Sequence, residues 1–219
     1  MSRNFQLKST TAEAMIAQLC HDIAAPVSGI VTSSGLLFTQ QTSKETAEVA
    51  RELLSSSVDE LLERLTYIRE MCALDHELDF VDVSITDNTC SKLLALKEMQ
   101  WEMTESNLVD RKVDADFNKL ILWLIWFIYR SSIGHVDVKV HIGIEDDLYK
   151  LHITANGENF VFNEQKINIM LDESKDKMSH YNAEAFYIKD LLKEAEGVAI
   201  KALGKHDIDV KLSYKGKNL

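Results

Sequence analysis

The chain has 219 residues, 46% of them hydrophobic, with one proline and 8 glycines. That is enough apolar material for one sizeable domain or two small ones, and too little proline and glycine for long disordered linkers. A formal charge of −11 disfavours direct binding to nucleic acid or to an anionic membrane. The three cysteines, Cys20, Cys72 and Cys90, show no metal-ligand spacing and read as small hydrophobes of a reducing compartment. The N-terminus lacks the apolar core of a secretory signal. The apolar run 120–129 is too short to span a bilayer. A soluble, cytoplasmic protein without a membrane partner is therefore expected.

The first predicted element is a helix over about 10–38. Ile16, Leu19, Ile23, Val27, Ile30 and Leu37 recur at helical spacing, and Thr10 with Glu13 makes a capping box. His21 lies two residues from both Leu19 and Ile23, which puts it off the apolar stripe and on the outward face. An imidazole there keeps a neutral, nucleophilic nitrogen near cell pH. Asp22 can accept a ring hydrogen and favour the reactive tautomer. Pro26 removes the N–H that would bond back to the carbonyl of Asp22, so a kink is expected one turn past the histidine. Ala17, Ala24, Ala25, Ser28 and Gly29 form a floor of small residues suited to docking.

A second capping signal, Thr42 with Glu45, follows a short polar turn at 40–43. The helix it opens reaches about Cys72, with Val49, Leu53, Leu54, Val58, Leu61, Leu65 and Ile68 on one side. Two long helices joined by a tight turn make an antiparallel hairpin. One hairpin cannot bury both stripes. Two copies can, as a four-helix bundle, so a homodimer is predicted.

Past about Asp75 the pattern changes. A short strand at 81–86 is expected to lead into a helix that begins at Asp87-Asn88-Thr89 and reaches Met99. A strand at 101–105 follows, then a helix at 114–131 that is apolar almost all round and hence buried. Val136, Val138, Val140, Ile142 and Ile144 alternate with polar residues, turn at Glu145-Asp146-Asp147, and return through Leu151, Ile153 and Ala155. The stretch 163–196 reads as helix in two pieces. A final pair of strands, 198–203 and 207–214, turns at Gly204-Lys205. The fold class is thus α+β. A helical hairpin, 1–76, precedes an α/β sandwich, 77–219, in which helices cover one face of a mixed sheet.

The segment Leu19-Cys20-His21-Asp22-Ile23-Ala24-Ala25-Pro26 resembles the phosphoacceptor box of histidine kinases and of histidine phosphotransferases. The layout, a helical hairpin and then an α/β sandwich, is similar to a histidine kinase core, whose second domain binds ATP. That family's first ATP motif is an NxxxNA helix that holds magnesium and phosphate; here Trp123 and Phe127 occupy the asparagine places. Its second motif, DxGxG, corresponds to Ala155-Asn156-Gly157-Glu158-Asn159, with alanine for the aspartate. No Gly-rich lid follows, and backbone cradles for phosphate need glycine.

The resemblance therefore narrows to the ChpT-type bacterial histidine phosphotransferases, dimers with a kinase-like second domain that does not use ATP. It implies a phosphorelay. A phosphorylated receiver domain of a hybrid histidine kinase docks on the bundle, His21 takes the phosphoryl group, Asp22 orients the imidazole, and the receiver of a response regulator accepts the group in turn. The implied cofactor set of this chain is empty, with Mg2+ brought by the receiver. Related kinases with phosphatase activity place threonine or asparagine where Ala25 stands, and alanine aims no water. The sequence departs from the pattern in having small, uncharged residues around the histidine where basic ones would hold phosphate. A divergent kinase that autophosphorylates, and a dimeric scaffold that carries no phosphate, remain as alternatives.

Other constellations read as structure. His141 and His152 fall opposite each other on the polar face of a hairpin and lack a third ligand, so no metal is expected. Asp114 with Asp116 marks a helix start, and Asp146 with Asp147 a turn. Trp123, Trp126 and Phe127 read as core.

Overall fold

The computed structural model describes residues 9–39, 42–72, 79–133, 135–158, 163–203 and 206–216. The chain divides into two compact units, Met1–Arg69 and Glu70–Leu219. The boundary expected at 76/77 lies outside the described residues.

The first unit holds two helices, α1 (Ser9–Leu37) and α2 (Lys44–Cys72). Thr10 lies within α1, and the capping role expected of its side chain lies outside the described residues. The cap of α2 is Ser43, one residue later than expected: its Oγ accepts the Thr46 amide at 3.1 Å, and its carbonyl accepts the Ala47 amide. Thr42 instead donates its hydroxyl to the Leu36 carbonyl at 2.7 Å and so closes the end of α1.

Contacts between the helices fix their direction. Asp22 meets Arg64, and Gly29 meets Ser57, seven residues forward on α1 and seven back on α2. The pair is antiparallel, as predicted. A Cβ on Gly29 would stand 2.3 Å from the Ser57 hydroxyl and 3.2 Å from its Cβ, so a side chain here would force Ser57 to turn and give way. Gly29 thus belongs to the helix–helix contact and leaves the set of docking residues expected from the sequence.

The buried stripe of α1 is also not the apolar one. Thr11, Met15, Gln18, Pro26 and Ser33 are buried, while Ile16 and Val27 are exposed. On α2 the buried positions are Ala50, Ser57, Tyr67 and Met71, while Val49, Leu53, Leu62 and Leu65 are exposed. Small residues let the two backbones close up, and the larger apolar side chains then face outward along both helices. Residues Thr11–Leu37 are long and apolar enough to cross a membrane by length and composition alone, with a mean hydropathy of 1.4. The expectation drawn from 120–129 overlooked this segment. The same apolarity is what one helix of a four-helix bundle needs.

The second unit is a mixed sheet with helices on one face. Strands β2 (Gln100–Ser106), β4 (Asp137–Glu145), β5 (Leu148–Asn156), β7 (Asp207–Tyr214) and β6 (Ala195–Ala202) lie in the order β2-β4-β5-β7-β6. The β2–β4 pair is parallel and the rest are antiparallel. A separate ribbon pairs β1 (Phe80–Asp82) with β3 (Lys112–Asp114). Val138, Val140, Ile142, Leu151, Ile153, Ile208, Val210 and Leu212 are buried, and their neighbours in sequence are mostly not. One face of the sheet therefore carries the core.

The expected strand at 81–86 is shorter than predicted. Asp82 ends β1, and its carboxylate accepts the Ser84 amide at 2.8 Å, so α3 (Val83–Ala95) starts four residues before Asp87. Val83, Ile85 and Thr86 are β-branched and suggest extended chain, but an N-cap overrides that weak preference. The helix α4 (Ala115–Ser131) matches expectation, with Asp114 as its cap and an almost wholly buried surface. Its Phe117 stacks on Tyr149 of β5 at 4.8 Å between ring centroids. Lys97 donates to the carbonyls of Tyr129 and Ser132 at 2.7 Å and so caps the far end. The β4–β5 turn uses Asp146 and Asp147 at φ 52° and 57°, the left-handed geometry of a two-residue hairpin loop.

The stretch 163–196 yields two short helices, α5 (Glu164–Met170) and α6 (Ala183–Leu192). Glu196, expected to be helical, lies in β6, which pairs with β7 through a bulge between Ala195 and Gly197. Ala and Glu favour helix, but the hydrogen bonds offered by the β7 edge decide the outcome. The turn expected at Gly204-Lys205 lies outside the described residues.

Candidate functional site

His21 stands on the outer face of α1 with 79% of its side chain exposed. Asp22, the next residue, turns inward and is 11% exposed. The His21 Nδ1 to Asp22 Oδ1 distance is 3.5 Å, the outer limit of a hydrogen bond. Asp22 is thus placed to bias the ring tautomer, with Nδ1 nearer the acid and Nε2 away from it. One turn to either side of His21 stand Ala17 and Ala25, both exposed, with Ala24 and Ser28 exposed beside them. These methyl and hydroxymethyl groups leave the imidazole open to a protein surface.

Pro26 lies inside α1, which continues through it to Leu37. Its ring is buried, and the N–H it lacks would have bonded to the Asp22 carbonyl. That carbonyl accepts a hydrogen bond from Nη1 of Arg64 on α2. Arg64 also pairs with Glu60 one turn back through Nη2, and its side chain is 14% exposed. A guanidinium therefore stands at the Asp22–Ile23 peptide, one residue past the candidate nucleophile. Apart from Asp22, the residues flanking His21 on α1 are small and uncharged, as expected, and Arg64 adds a charge from the facing helix. Arg64 was missed because it is 42 residues away in sequence. A signal did exist: Arg64 continues the seven-residue spacing of Ala50 and Ser57, a stripe where a charged residue needs a partner on the facing helix.

Comparison with known structures bears on this arrangement. The chain superposes on the structure of a bacterial phosphotransferase over 96% of its own length and 100% of that chain, at a TM-score of 0.78 and 17% identity. The fold is that of a bacterial phosphotransferase. It is also similar to the Acinetobacter baumannii histidine kinase AdeS, at a TM-score of 0.51 and 14% identity over 90% of this chain and 98% of that one. No protein-family model matches the chain, and no curated protein matches it in sequence. The helical hairpin followed by a kinase-like α/β sandwich is the fold expected from the resemblance.

A histidine kinase fold implies Mg–ATP on its second domain, and the residues present do not fit that group. Trp123 and Phe127 of α4 are each 1% exposed. Trp123 packs on Tyr187 of α6 at 4.6 Å between centroids, and among the described residues its buried indole N–H has no acceptor. Neither ring offers the oxygen ligands that magnesium takes. The carboxamide of α4, Asn118, is buried and accepts the Thr86 hydroxyl, so it is committed to the core. Burial drives the Tyr187 hydroxyl well above its usual range and holds the Lys119 amine below its own. Ala155 is buried in β5 and carries no carboxylate. Gly157 persists for packing: a Cβ there would lie 2.5 Å from the His135 carbonyl oxygen.

His141 and His152 are register partners on β4 and β5, as expected. Each turns to its own neighbours. His141 meets the Thr104 hydroxyl at 2.9 Å and the Ser106 hydroxyl at 3.1 Å, and His152 meets Asp209 at 2.6 Å. Among the described residues no group of three His, Cys, Asp or Glu side chains is arranged to hold a metal. Asp114 and Asp146–Asp147 act as cap and turn.

Proposed function

We propose that this chain is a histidine phosphotransferase of a bacterial phosphorelay, working in the cytoplasm as a homodimer. The observation that carries the reading is the exposed His21, set between alanines beside an inward-turned acid, on a hairpin of phosphotransferase fold. Nε2 of the imidazole attacks the phosphorus of a receiver's aspartyl phosphate. The P–N bond forms as the P–O bond to the carboxylate breaks, and the carboxylate leaves with that electron pair. Nδ1 keeps its proton on the side of Asp22, whose carboxylate stabilises the imidazolium that develops on the ring. The receiver supplies Mg2+, and the scaffold supplies position. The reverse step hands the phosphoryl group to a response regulator. Ala25 offers no group to aim a water, so the carrier is not committed to hydrolysis. The test is incubation of the purified protein with a phosphorylated receiver and Mg2+. Acid-labile label on the protein is expected; its absence would leave the scaffold reading in place.

The homodimer rests on the outward apolar rows of α1 and α2. Leu65→Asp is expected to give monomers or aggregates in light scattering, since burying an unpaired charge costs several kcal/mol. A folded, monomeric wild type would contradict the bundle.

Nucleotide should play no part. Mg–ATP is expected to leave the melting temperature unchanged, whereas a site at a hundredfold excess over its Kd would add about 2.7 kcal/mol. Self-labelling from radioactive ATP would revive the kinase reading.

A further inference from the structure

Arg64 meets α1 at the point where its backbone lacks a donor. Pro26 has no N–H, so the ladder leaves the Asp22 carbonyl open, and the Arg64 guanidinium donates to it from the opposite helix. Its second nitrogen is anchored on Glu60. A planar fork held at two points has little freedom left, and it is mostly shielded from water. The Asp22 carbonyl belongs to the residue after His21, so whatever fixes this peptide also holds the backbone from which the imidazole and the Asp22 carboxylate project.

We propose that Arg64 is a positioning residue of the phosphoacceptor turn: it replaces the amide that Pro26 lacks and locks the Asp22–Ile23 peptide, which holds the backbone next to His21 in place. The inference rests on the phosphotransfer reading above. It has a conditional consequence. An alanine at position 26 would return an N–H to the Asp22 carbonyl, and the bond from Arg64 would become redundant. The proline and the arginine, 38 residues apart, are thus one device. The proline opens the acceptor, and the arginine ties α1 to α2 through it.

The experiment measures the cost of Arg64→Met in two backgrounds, wild type and Pro26→Ala. Two quantities are read: the rate of transfer from a saturating phosphorylated receiver, and hydrogen exchange of the α1 amides around Asp22. In the wild-type background the rate should fall about tenfold or more, since small misplacement of a nucleophile is costly. The receiver concentration for half-saturation should not move, and exchange around Asp22 should accelerate. In the Pro26→Ala background both costs should shrink to about twofold or less, the non-additivity expected of coupled neighbours. Equal costs in both backgrounds would overturn the proposal, as would a rate loss without a change in exchange. Where the methionine variant does not fold, Arg64→Lys, which keeps the charge but not the fork, must show the same dependence on Pro26. Exchange that responds as described in a wild type that takes no label would overturn the phosphotransfer reading while the tie by Arg64 stands.

Discussion

Replacing His21 with alanine is expected to abolish phosphoryl uptake from a phosphorylated receiver while leaving the fold intact. The ring is 79% exposed, and its one polar contact among the described residues is the 3.5 Å approach to Asp22. Its removal opens no cavity and orphans no buried donor, so stability should change by no more than about 0.5 kcal/mol. The chemistry has no such tolerance, because no other side chain on that face offers a comparable nucleophile beside an acid. His21→Gln keeps the bulk and polarity and should be equally inactive. The measurement is acid-labile label after incubation with the phosphorylated receiver, read beside far-UV circular dichroism. Residual label on the alanine variant would place the phosphohistidine elsewhere, with His135, His141, His152, His180 and His206 as the described candidates.

The candidate site was legible in the sequence as far as local chemistry reaches. The spacing of His21 from Leu19 and Ile23 put the imidazole outside, and it is outside. The buried helix at 114–131 and the hairpin through Glu145-Asp146-Asp147 were equally legible, since a full apolar circumference and strict alternation are strong periodic signals. What stayed hidden depends on which helix faces which. The apolar stripes were expected to be buried by two copies of the hairpin, but nothing in the sequence showed which stripe closes the hairpin itself: it is the one through Thr11, Met15, Gln18, Pro26, Gly29 and Ser33. Hydrophobicity alone cannot rank two stripes when one closes by small size and the other awaits a second surface. Arg64 was hidden for the same reason. The open Asp22 carbonyl follows from Pro26, but its donor needs the register of the hairpin.

Removing the carboxylate of Glu184 should be among the costliest single changes in the second unit. Glu184 opens α6 and is 1% exposed, and it receives Arg130 of α4 on one oxygen and Lys166 of α5 on the other. Arg130 and Lys166 are themselves mostly covered, at 22% and 17% exposure. One buried anion therefore joins three helices and holds two cations together. Glu184→Ala leaves those cations close to each other and short of counter-charge, and deletes buried volume. Breaking a buried pair from one side costs about 3–5 kcal/mol, and the partial exposure of the cations places the expected loss near the lower end. Glu184→Gln keeps the shape and one acceptor, so it should fall between. Replacing the three partners together by apolar residues of similar volume should recover much of the loss, because the desolvation of all three charges is then avoided. Urea unfolding, with the slope of the transition checked for constancy, measures the difference. A loss below about 1 kcal/mol for Glu184→Ala would mean that water already solvates the triad, as for exposed pairs. Phosphoryl uptake by His21 in the folded fraction then gives a second reading of the same variant, because the proposed chemistry of the hairpin does not pass through this network.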